Sequence, residues 1–177
     1  MSVHRGTLVD GTLTLDEPGV ARIDVDRRRA IARAHTATHM VHKALHETLG
    51  DQATQAGSEN APSRLRLDFR HGSALPGSAL GEIEERVNLL LAEDLDVSDA
   101  VMPLERAKEL GAMALFGEKY GEEVRVVSIG EDWSRELCAG THVPSTGHLG
   151  RVALLGESSI GSGVRRVDAL VGEGAYR

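Results

Sequence analysis

Two histidine pairs and one cysteine-histidine pair in this 177-residue sequence have the types and spacing of metal ligands. His35 and His39 stand one helical turn apart, so on a helix both imidazoles leave the same face and can share an ion. Cys138 and His142 repeat the same step. A thiolate mixed with imidazoles suits tetrahedral zinc, and ligands drawn from two distant segments would pin an early helix to a late sheet. Either pair alone is a weak signal. The rival pair, His42 and His46, has the same spacing as the first. At 100° per residue these four histidines fall within about 60° of arc, so helix geometry leaves both pairs open.

The surrounding pattern supplies elements to hold such ligands. From Arg28 to Leu49 the residues Ile31, Ala34, Ala37, Val41, Ala44, Leu45 and Leu49 form one broad apolar face, and Gly50 is a natural stop. Arg64 to Phe69 alternates strictly, with Leu65, Leu67 and Phe69 on one side of a half-buried strand. A second helix is expected from about Ala79 to Leu95 with Ser78 as its cap, and a short third one from Pro103 to near Gly111. Strands are expected near Val124 to Ile129, Arg151 to Leu155 and Val164 to Val171. At the start, Thr7 to Leu15 carries two β-rich runs joined by Asp10-Gly11, the signature of a tight hairpin, and Val20 to Val25 follows as a further strand. Helices and strands mix without regular alternation, so the expected class is α+β: a mixed or antiparallel sheet packed with helices, preceded by a short β-hairpin segment.

Composition narrows the function. No uninterrupted apolar run approaches the roughly 20 residues of a bilayer crossing, and the opening residues lack the pattern of a secretory signal, so the expected home is the cytoplasm. A single cysteine excludes an internal disulfide and leaves Cys138 free for metal or chemistry. The net charge of -7 argues against nucleic-acid binding through a broad basic surface; any such contact is local or shared. Two metal-hydrolase classes are set aside. A threonine stands where a zinc peptidase helix places its glutamate between the histidines, and a base deaminase needs a second nearby cysteine.

Several blocks, in order and spacing, resemble the editing region of alanyl-tRNA synthetases: His35-Thr-Ala-Thr-His39-Met, Gln55-Ala-Gly-Ser58, Arg64 to Phe69, Ala114 to Gly121, Cys138-Ala-Gly-Thr-His142-Val and Glu157 to Asp168. The resemblance spans nearly the whole chain. Stand-alone trans-editing proteins and the editing domain of threonyl-tRNA synthetases carry related metal motifs. The sequence departs from the family pattern at Ala139, where a second glycine is usual, and at Glu59-Asn60, where an apolar pair is usual.

What the resemblance implies is a zinc site of His35, His39, Cys138 and His142 beside a pocket for the aminoacylated 3' end of tRNA, with His42 and His46 left as helix-surface or supporting groups. It implies substrate recognition by Gln55, with the hydroxyls of Thr36 and Thr141 as further candidates. Arg64, Arg66, Arg165 and Arg166 are candidate tRNA phosphate contacts. The implied activity is that of an aminoacyl-tRNA deacylase acting on tRNA-Ala mischarged with serine or glycine, as a fragment working beside the remaining synthetase domains. The alternatives are a stand-alone editing deacylase and a non-catalytic RNA-binding module stapled by zinc. Residues 1–27 read as a β-rich remnant of a small barrel or a cap, and residues 28–177 as the α+β zinc-binding editing domain.

Overall fold

The computed structural model describes residues 3–114 and 119–176. Three helices pack with two antiparallel sheets, the expected α+β class. The larger sheet has the order β1 (Gln55–Ala61), β2 (Arg64–Arg70), β7 (Val164–Val171), β6 (Val152–Gly161); the smaller has the order β3 (Val97–Pro103), β4 (Glu123–Ile129), β5 (Ser134–Leu137). Helix α1 (Val25–Leu49) lies across β1 and β2 and alongside α2 (Gly77–Ala92); α3 (Leu104–Glu109) covers β3 and β4.

Alternation in β2 buries Leu65, Leu67 and Phe69 completely, and Val167, Ala169 and Val171 of β7 join them on the same face. Against this floor α1 lays Ala34, Ala37, Met40, Val41, Ala44 and Leu45, and α2 adds Ile83, Val87 and Leu90. A separate small cluster of Ala107, Val124, Val126 and Leu137 stabilises the second sheet at the end from which Cys138 emerges. Small residues on α1 let the helix sit close to the sheet. Its middle stretch, Thr36 to His42, is buried all round, so the polar side chains there must find partners inside the protein.

Some expected elements differ. Residues 3–24 form no strand, so the hairpin at Thr7 to Leu15 and the strand at Val20 to Val25 are absent; Val9, Leu13, Leu15 and Val20 are all exposed. The Asp10-Gly11 turn signal is local, and a lone two-stranded hairpin without an apolar floor is marginal in water. Instead α1 begins three residues earlier than expected, capped by the Asp24 carboxylate, which accepts the Arg27 N–H at 2.9 Å. Ser78 lies inside α2, which starts from Pro76 without a side-chain cap. Strands β1, β3 and β5 were not foreseen, and β6 runs on to Gly161 through two irregularities. Among the described residues no helix is long and apolar enough to cross a membrane.

Because Leu67 sits at zero exposure beneath α1, Leu67→Ala is expected to cost about 2–5 kcal/mol in urea unfolding. Val9→Ala, at a side chain 95% exposed, is expected to change stability by less than about 0.5 kcal/mol in the same measurement.

Candidate metal centre and adjoining cleft

The third and fourth turns of α1 deliver His35 and His39, and the turn after β5 delivers Cys138 and His142 to the same point. One donor atom from each lies within 4.8 Å of all the others. The Cys138 Sγ is 3.4 Å from His35 Nε2 and 3.4 Å from His142 Nε2. Those separations match the roughly 3.3–3.6 Å edges of a tetrahedron built from Zn–N and Zn–S bonds of about 2.0 and 2.3 Å. The fourth donor supplies a second test. His39 Nε2 is buried and makes no hydrogen bond, an orphan that burial penalises unless something beside the cluster satisfies it. The donor set, its spacing and the orphaned nitrogen together fit a metal ion.

Each ligand is held from behind. His39 Nδ1 lies 2.7 Å from a carboxylate oxygen of Glu136, and the side chains are only 8% and 5% exposed. Burial opposes both charges, but each stabilises the other: the imidazole is raised above its ordinary range, and the carboxyl is held below its own. His142 Nδ1 is 3.1 Å from the Thr36 hydroxyl, which also accepts the Val143 N–H at 3.2 Å. Burial is the main influence lowering the pKa of His142. Burial also works against the Cys138 thiolate, yet hydrogen bonds with His142 and His35 outweigh it and bring the thiol down to about 3. The Gly140 N–H donates to the sulfur at 3.3 Å.

Arg125 on β4 fixes the ligand turn. Its Nη1 donates to the carbonyls of Cys138 (3.0 Å) and Gly140 (2.7 Å), while its Nε donates to Asp99 on β3. The turn approaches α1 so closely that a Cβ at Gly140 would stand 2.0 Å from His35 Cε1. The neighbouring Ala139, the departure from the family pattern, is not where space runs out. Neither Glu136 nor Arg125 was foreseen. Nothing local marks either residue, because an acid two positions before a cysteine gains its role only when the fold buries it against His39.

The other expected site residues fall in distinct places. A bulge between Gln55 and Gly57 sets Gln55 opposite Phe69, on the helix side of the sheet. Gln55 therefore lines a cleft of about 90 Å³ with Ser58, His35, His39 and Cys138, and its amide donates to the Ser58 hydroxyl at 3.1 Å. Thr141 is exposed on the ligand turn, whereas Thr36 has no exposure and its hydroxyl is occupied in positioning His142. His42 is buried rather than solvated, sharing Glu136 and facing His46 at 3.1 Å. Asn60 holds the Thr38 hydroxyl at 2.7 Å, which accounts for a polar residue at that departure. Arg64 and Arg66 both reach Asp168, Arg165 forks onto Glu157, and Arg166 forks onto Asp68. All four arginines are thus engaged within the protein. The block 114–121 lies partly outside the described residues.

Comparison with known proteins bears on the family of this chain. The family described as the threonyl and alanyl tRNA synthetase second additional domain matches residues 124–168, which run from β4 through the Cys138–His142 turn into β7. Relatives similar over the whole length are alanine-tRNA ligases: 65% identity for that of Acidothermus cellulolyticus over 99% of this chain, and 61% for that of Bifidobacterium longum over 98%. The chain spans about one fifth of the length of these curated relatives, 20% in both cases. It is related to the editing domain of alanyl-tRNA synthetases.

Three outcomes test the centre. Removing the carboxylate in Glu136→Ala is expected to weaken zinc binding about 10- to 100-fold in a chelator competition, because His39 loses the acceptor that orients it. Gly140→Ala is expected to weaken it as well by displacing His35. Zinc retention should also fall steadily as pH drops through the imidazole range, since protons compete for the ligand nitrogens; a flat profile would contradict this donor set.

Proposed function

We propose that this chain is the ester-hydrolysing, editing part of an alanine-tRNA ligase, acting on tRNA-Ala mischarged with serine or glycine. The reading rests above all on one observation: a partly buried His-His-Cys-His cluster borders a cleft that the Gln55 amide also lines. The need for such an activity follows from chemistry. A pocket for alanine cannot strongly reject serine, which differs by one hydroxyl, nor glycine, which simply fits.

His35, His39, Cys138 and His142 would hold zinc. When bound, that ion supplies Lewis-acid polarisation and a charge against which an ester can be oriented. Hydrolysis adds water across the aminoacyl ester, returning a free amino acid and the 3'-terminal hydroxyl of the tRNA. Four protein ligands fill a tetrahedral site, so the zinc role proposed here is mainly positioning. Gln55 and Ser58 offer polar atoms to the hydroxyl of serine, whereas the methyl group of alanine would leave them desolvated and unpaired. Thr141, exposed on the ligand turn, would meet the terminal ribose. The cytoplasm and the remaining domains of the ligase are the proposed setting.

Expected results are measurable in one panel. The wild-type chain should deacylate Ser-tRNA-Ala and Gly-tRNA-Ala and spare Ala-tRNA-Ala, while Cys138→Ala should abolish hydrolysis. Gln55→Ala should lower kcat/KM for the serine ester roughly three- to tenfold, the value of one hydrogen bond. Equal inertness of the wild type toward all three esters would favour a non-catalytic module.

A further inference from the structure

Among the described residues, three exposed arginines away from the sheet have one long ion pair between them. Arg28, Arg29 and Arg33 lie on the first turns of α1 and line a recess of about 490 Å³ whose opposite wall is Thr141, His142 and His148. All three are exposed. Among the described residues Arg28 and Arg33 have no ion pair, and Arg29 meets only Asp26 at 3.8 Å, with both side chains more than 70% exposed. Arg64, Arg66, Arg165 and Arg166, by contrast, are each within 3.0 Å of a carboxylate. In a chain of net charge -7, this is a local concentration of positive charge, offset in part by Asp26 and Glu173 beside Arg29 and Arg33, and it shares His142 with the metal centre.

We propose that this recess binds the phosphates of the single-stranded 3' segment of an RNA, guiding its end over Thr141 into the cleft. The proposal rests on the editing function above and names the path its substrate takes. Three guanidiniums within the first turns of a rigid helix present donors to the oxygens of neighbouring phosphates, and their placement fixes register without reading sequence. His148 adds a further polar group at the rim. Such a site reconciles an acidic chain with an anionic substrate, because the attraction is confined to the approach to the metal.

The test uses an uncharged RNA minihelix with a single-stranded 3' tail, its binding followed by fluorescence anisotropy over a range of salt. The triple variant Arg28→Gln, Arg29→Gln, Arg33→Gln should lower the slope of log K against log salt by about two to three. Zinc content and the circular dichroism spectrum should remain those of the wild type, and lysines at the three positions should restore most of the slope. The pair Arg106→Gln, Lys108→Gln on α3 should leave the slope unchanged. An unaltered slope in the triple variant overturns the proposal, as does a loss shared by the α3 pair. Failure of the editing function is read separately, as absence of ester hydrolysis in a protein that still binds the minihelix in an arginine-dependent way.

Discussion

The constraint on which the structure turns is the burial of a polar stretch of helix. Between Thr36 and His42 α1 is enclosed on every side, so two threonines and two histidines must be satisfied without water. The surrounding parts of the fold answer that demand one group at a time. Glu136 from β5 takes His39 and His42, the turn after it brings His142 to Thr36, and Asn60 on β1 meets Thr38. Only the Nε2 of His39 is left over, and it faces the cluster. The same enclosure that makes this helix costly without partners therefore builds a set of ligands whose orientations are fixed from behind.

The two apolar clusters show why that junction matters beyond chemistry. The main core joins α1 and α2 to the large sheet, while the second cluster lies within the small sheet and includes Leu137, the residue before the cysteine. The Cys138–His142 turn extends from that second cluster toward the first helix, braced by Arg125 and passing His35 at a distance only glycine allows. Metal affinity and the mutual placement of the two sheets would thus be coupled, since an ion at this point would contact residues anchored in each.

How far the sequence discloses this depends on which signals are local. The apolar period of α1, the alternation of Leu65, Leu67 and Phe69, and the runs that became β4 and β7 can all be read, because burial on one face stamps a repeat on the residues. The strands β1, β3 and β5 cannot: neither Gln55–Ala61 nor Val97–Pro103 has a fully buried residue to stamp an apolar alternation, and Ser134–Leu137 is very short. The Asp10-Gly11 signal misled for the opposite reason, being a local turn preference with no tertiary floor beneath it. Of the site, the spaced histidines and the cysteine-histidine pair are legible, with resemblance choosing between the two helix pairs. Glu136, Arg125 and the engagement of the sheet arginines belong to long-range pairing and leave no local trace.

The bulge in β1 has a consequence for parity. In a regular strand, side chains three positions apart point to opposite faces, so Gln55 and Ser58 could not both look toward the helix. The additional residue between Gln55 and Gly57 changes odd to even, and the amide and hydroxyl come close enough to touch. Regular pairing of every residue present would turn the glutamine outward to solvent, whereas the bulge keeps it opposite Phe69. The polar lining of this wall thus depends on where the strand interrupts its own pairing as much as on residue identity.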